Sequence, residues 1–224
     1  MKTKILTGLV MAAAALMATL PSAQAFPPPG IPSTTNPGPL TGTGQPSTAI
    51  FAFADAANQS SLNLITPPGF ANPVFVNNDG FPIGSTKSLG SPAGNVVFGL
   101  NNMTTGTNFI ANVPDAQGNF HAFYSGTCSS AATCSATFGV FSVGALSAPV
   151  IASINAVLAS NPGSMFTFVG WEDLTGPQGS DWDYNDLIFL FSNLTATPVP
   201  EPTTLALLGV ALAGLGFARR RKTA

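Results

Sequence analysis

The sequence predicts an all-β fold: an antiparallel β-sandwich, jelly-roll-like, with one short helix, plus an N-terminal signal peptide and a C-terminal transmembrane helix. Three observations carry this expectation. Between the two apolar ends, short runs rich in Phe, Val and Ile are punctuated by Gly, Asn, Asp and Pro, the pattern of strands joined by tight turns. One stretch, Ser147 to Ser160, departs from that pattern and spaces its apolar residues as a helix does. The two ends are apolar runs flanked by Lys or Arg, as in segments that meet a membrane.

In chain order, Lys2 and Lys4 give a positive start, residues 5–20 are apolar, and an Ala-x-Ala site comes next, with cleavage expected after Ala25. Residues 1–25 thus read as a secretory signal peptide, so signal peptidase and the export machinery are partners and the chain folds outside the cytoplasm. The alternative is a buried N-terminal helix. Residues 26–48 are dense in Pro, Gly, Ser and Thr without a periodic apolar face, and read as an extended or disordered linker.

The β domain is expected over residues 49–195. Its candidate strands are AIFAFAD, PVFVNNDGF, GNVVFGL, TNFIANV, NFHAFYS, SATFGVFSVG, SMFTFVGW and DLIFLF. The helix places Val150, Ile151, Ile154, Val157 and Leu158 on one side, with Ser147 as a candidate cap and Asn161-Pro162-Gly163 as the stop. Cys128 and Cys134 are the only cysteines; in an exported chain a pair this close reads as a disulfide. A metal pair or free thiols are the other options, but the spacing is poor for a metal and no histidine is nearby.

Charge is scarce, 7% of residues, and its placement is uneven. Between the two ends lie eight acids and one base, Lys87. Five of those acids crowd into GWEDLTGPQGSDWDYNDLIFLF: Glu172 and Asp173 at a strand end, then Asp181, Asp183 and Asp186 leading into the next strand, with Asn185 among them. If the two strands are neighbours, four or five carboxylates share a small volume without a cation, which like-charge repulsion disfavours. A hard divalent ion relieves this. Calcium accepts six to eight oxygens from carboxylates, amides and carbonyls, whereas zinc recruits Cys or His and magnesium sheds water reluctantly. The D-x-D-x-N-D order is not an EF-hand, because its sixth position is Asp186 and its twelfth Ser192, rather than Gly and Glu. Without an ion, the same residues would act as turn caps through side-chain to backbone bonds.

The chain end reads VPEPTTLALLGVALAGLGFARRRKTA. Pro200, Glu201 and Pro202 precede an apolar stretch at 203–218, which as a helix reaches roughly 24 Å, a short membrane span. Arg219, Arg220, Arg221 and Lys222 place the basic flank of that span in the cytoplasm. This three-part tail, assigned to residues 198–224, resembles the PEP-CTERM sorting signal of Gram-negative bacteria. The resemblance implies an exosortase that cuts near Pro-Glu-Pro, an inner-membrane intermediate, and delivery to the cell surface or extracellular matrix of a polysaccharide-exporting, biofilm-forming cell. A plain tail anchor is the alternative.

The stretch from Phe168 to Phe189 is similar to the signature of the DUF4114 domain: a hydrophobic-Glu-Asp strand end, a Gly-containing loop, then D-x-D-(Tyr/Phe)-Asn-Asp entering a strand. The likeness is clearest over residues 96–192 and implies Glu172, Asp173, Asp181, Asp183, Asn185 and Asp186 as the characteristic positions. The expected function is that of a non-catalytic surface or matrix protein stabilised by calcium. The other reading is a calcium-dependent module binding exopolysaccharide, with Trp171, Trp182 and Tyr184 stacking on sugar rings; a glycoside hydrolase using paired carboxylates is a third. His121 is the only histidine and has no companion nucleophile, and the chain lacks a phosphate loop. Its acidic balance disfavours nucleic acid.

Overall fold

The computed structural model of the chain describes residues 26–66 and 73–196. The expected signal peptide with its Ala25 site, and the tail with Pro200, Glu201, Pro202, the apolar stretch and Arg219, Arg220 and Arg221, lie outside those residues. No helix among the described residues is long and apolar enough to cross a membrane.

Among the described residues, ten strands form two antiparallel sheets. The first has the order β10 (Leu194–Ala196), β1 (Leu40–Thr43), β5 (Ala93–Asn102), β3 (Ser60–Thr66), with β6 (Thr107–Ile110) also paired to β5. The second has the order β4 (Thr86–Gly90), β2 (Ser47–Ala54), β9 (Leu187–Ser192), β8 (Phe166–Trp171), β7 (Ala122–Cys128). Two helices, α1 (Ala131–Phe138) and α2 (Ala148–Ser160), complete the layers. The sheets are open rather than closed into a barrel, and their strand order does not establish the jelly-roll connectivity expected from the sequence.

Alternation along the strands builds two apolar layers from one sheet. Leu187, Phe189 and Phe191 of β9 point toward the first sheet, where Phe191 stacks on Phe98 of β5 with ring centroids 4.3 Å apart. Ile188 and Leu190 point the other way, into a layer formed with Phe138, Val150, Ile154 and Val157 of the two helices. A strand covered on both faces has no polar side, which is why LIFLF reads as an unbroken apolar run. Full burial of each large side chain contributes about 1.5–3 kcal/mol, so β8 and β9 are the best-anchored strands. The acids sit at their ends.

Three expectations are corrected. Among the described residues there are two short α-helices rather than one. The run SATFGVFSVG, expected as a strand, supplies the end of α1 and the 3-10 turn Gly139–Phe141, because Phe138 and Phe141 recur at a helical interval and Ser130 caps the helix with Thr133 in a capping box. Residues 26–48 are not a free linker: β1 pairs on both sides, with β10 and β5, and Leu40 is wholly buried. In α2 the expected face is buried at Val150, Ile154 and Val157, although Ser147 makes no side-chain cap bond. Cys128 and Cys134 form the disulfide, joining the end of β7 to α1.

Candidate metal centre

β8 and β9 pair with Trp171 opposite Leu187. Glu172 and Asp173 therefore leave one strand beside the point where Asp186 enters the next. The Asp173 amide donates to the Asp186 carboxylate at 2.7 Å. On the other side of β9, Ala54 of β2 lies opposite Leu187, and the Asp55 amide donates to the Asp186 carbonyl at 2.9 Å. Asp55 thus joins the acidic end of the sheet. Sequence reading missed it, although its signal, a strand ending in an acid, is the one that marked Glu172.

The loop before β9 has an unusual backbone. Trp182 and Tyr184, two residues apart, both take φ = 55°, the left-handed region that bulky residues avoid at a cost of about 1–2 kcal/mol each. Packing holds them there. Both rings are buried, Trp182 against His121 and Tyr184 among Phe123 and the N-terminal residues. The Tyr184 hydroxyl donates to the Phe120 carbonyl at 2.9 Å and accepts the Ser33 amide at 2.7 Å. These aromatics anchor the loop and leave Asp181 exposed and Asp183 half-buried. Close packing extends under the loop: a methyl group at Gly170 would collide with the Tyr184 carbonyl and the Phe141 ring.

Glu172, Asp181 and Asp183 each bring an oxygen to one small volume, all within 4.8 Å of one another. Glu172 is 1% exposed, and its Oε2 has no hydrogen-bond partner. A buried glutamate with one orphaned oxygen, gathered with two other carboxylates, suits a bound cation, and the donor set is entirely hard oxygen. Burial, and then the Asp186 charge, push the Glu172 carboxyl up to about 9. Burial likewise lifts Asp186 to about 7, against the pull of the Asp173 amide. Asp183 is raised by burial too, opposed by Asn185, whose backbone and side-chain amides both donate to its carboxylate.

The remaining expected residues divide between the site and its supports. Asp186 lies against Glu172. Asn185 spends its side-chain amide on Asp183. Asp173 is buried and faces the first sheet: its carboxylate accepts from Asn58 at 3.2 Å and Ser60 at 3.4 Å, and its carbonyl from Asn102 at 2.7 Å. It works as a clamp between the sheets. Trp171, Trp182 and Tyr184, expected as candidate sugar-stacking residues, are at most 6% exposed and offer no platform, because the same rings fill the core.

His121 is a buried support. Its Nδ1 lies 3.1 Å from the Glu172 carbonyl, its Nε2 3.0 Å from Asp115, and its ring stacks on Phe109. Among the described residues the contact with Asp115 is the only acid–base pair at ion-pair distance, and it is ionic only with a protonated imidazole, which burial disfavours by lowering the His121 pKa. Lys87 instead lies over the Phe81 ring. Among the described residues, no protein cation answers the acids.

Comparison with known proteins bears on the tail. Residues 198–222 match the PEP-CTERM protein-sorting motif. The motif implies recognition by an exosortase and export to the cell surface through a membrane-anchored intermediate. No curated protein matches the chain. The match stops at the tail, and the likeness of Phe168 to Phe189 to the DUF4114 signature is not shown by it.

Proposed function

We propose that this is an exported, non-catalytic cell-surface or biofilm-matrix protein of a Gram-negative bacterium, whose sandwich, of the DUF4114 kind, is stabilised by one calcium ion. Glu172, Asp181 and Asp183 would hold the ion, with Asp186 and Asp55 beside them. The observation that carries this reading is that Glu172, whose buried Oε2 has no hydrogen-bond partner, brings a carboxylate oxygen within 4.8 Å of two further carboxylates. Calcium is favoured by an all-oxygen donor set, and an extracellular site works at an affinity on the order of 0.1–1 mM. The ion would lock together the ends of β8 and β9. Through Asp173 and its bonds to Asn58, Ser60 and Asn102, that order would pass to the first sheet.

The sugar-binding reading loses its aromatic platform, so polysaccharide contact would have to use the ion's exposed side at Asp181. Thermal melting tests the leading reading. At 10 mM calcium, a dissociation constant of 0.1–1 mM gives about 1.4–2.7 kcal/mol, or roughly 3–10 °C over melting in chelator. Magnesium and zinc should give less. An unmoved midpoint in calcium would remove the ion from the account.

A further inference from the structure

Residues 26–33, a Pro-rich stretch ahead of the first strand, lie across the acidic loop. The Phe26 ring packs edge-on against Phe123, Phe141 and Tyr184, with centroids at 4.7, 5.6 and 6.3 Å. Gly30, at φ = 81°, donates its amide to the Asp181 carbonyl at 2.9 Å. The Ser33 amide donates to the Tyr184 hydroxyl at 2.7 Å, and the Ser33 carbonyl accepts the Phe120 amide at 2.8 Å. One segment therefore grips both the exposed acid of the candidate centre and the ring that anchors the loop. We infer that residues 26–33 are a positioning strap for the ion, holding Asp181 and Tyr184 in the binding geometry, and that strap docking and ion binding strengthen each other.

This inference rests on the calcium reading. Two features make the strap suited to the role. Asp181 is exposed and not packed into the core, so its place depends on backbone restraint. Pro27, Pro28, Pro29 and Pro32 leave the strap few conformations to lose, so docking costs little entropy. Linkage then requires reciprocity: if the docked strap favours the ion, the ion favours the docked strap by the same factor.

The test uses the full chain and two variants. Tyr184→Phe keeps the ring and removes the hydroxyl that receives Ser33; Phe26→Ala removes the aromatic anchor without touching the loop backbone. Calcium affinity by titration calorimetry should fall about five- to tenfold in each. In the wild type, saturating calcium should slow hydrogen exchange at the Gly30 and Ser33 amides about fivefold or more beyond any slowing at the core amides of α2, a local response that stabilisation of the whole fold would not give. Wild-type affinity in both variants, or exchange at Gly30 and Ser33 slowed by calcium no more than in α2, overturns the strap while leaving the ion in place. A wild type that binds no calcium overturns both. If Tyr184→Phe does not fold, Phe26→Ala and the wild-type exchange still decide.

Discussion

Glu172 is the residue on which the calcium reading turns, because a buried carboxyl with one oxygen left unpartnered costs stability unless something occupies the site. Glu172→Gln keeps the shape and removes the charge. In chelator it should melt at or above the wild-type temperature at pH 8, and calcium should no longer raise it, with affinity down at least about tenfold. Matched melts of the two proteins check this. The pH dependence comes from the raised carboxyls. The ordinary values are 4.5 for Glu172 and 3.8 for Asp186, and the folded values are about 9 and about 7. The ion-free fold thus holds protons that the unfolded chain releases. Its stability from these groups is complete below the ordinary values and is lost as pH rises through about 7 and about 9. Urea unfolding in chelator should therefore show a lower midpoint at pH 9 than at pH 5.5. On the proposed reading calcium would compete with those protons, so the gap between calcium and chelator should widen over the same range; a flat profile in chelator would contradict the buried, crowded carboxyls. At this scale the sequence is informative about Glu172, Asp181 and Asp183, whose lack of a cation is visible in composition. It says nothing of Asp55, which only strand pairing brings to the site, and it misjudges Trp182 and Tyr184. Their left-handed backbone turns them inward, and no local pattern encodes that.

Among the elements, β8 and β9 form the rigid base of the site and are legible because two-sided burial writes an unbroken apolar run. Gly170 is the point where that base meets the loop. Gly170→Ala must push the Tyr184 carbonyl and the Phe141 ring apart, and overpacking of this kind costs about 1–3 kcal/mol. Denaturant melts should show that loss, and calcium affinity should fall with it because the loop shifts; a neutral substitution would mean the loop is not fixed from below. The short strands are harder to read. β1 is four residues of LTGT, and only its pairing with β10 and β5, far along the chain, makes it a strand. Its Pro- and Gly-rich surroundings carry the composition of a spacer, yet Phe26 and Leu40 supply anchors that averaging over the segment conceals. The first helix is hidden similarly: Phe138 and Phe141 fit a helix or a strand when taken as a short run, and the Ser130 cap decides between them.

Across the whole molecule, a charge-poor sandwich gathers most of its acids at one end of its central strands, and the sorting information is carried by residues 198–222. The tail match is the most specific sequence feature, since order and spacing of Pro-Glu-Pro, apolar stretch and basic cluster are themselves the signal. Incubation with membranes that contain the sorting enzyme should give a shortened species, and membranes lacking it should not; Arg219, Arg220 and Arg221 replaced together by Gln should reduce that processing. On the proposed calcium reading the sandwich would reach its final stability only outside the cell, which is consistent with such a route. The fold class is readable from strand and turn composition, but sheet order is not, because pairing partners such as β1 and β10 are set by long-range packing. The calcium site itself is tested most directly by a crystal structure of the protein grown with calcium. One strong peak is expected, bounded by oxygens of Glu172, Asp181 and Asp183 at about 2.3–2.6 Å from each. The same three carboxylates turned apart into water, with no peak between them, would contradict it.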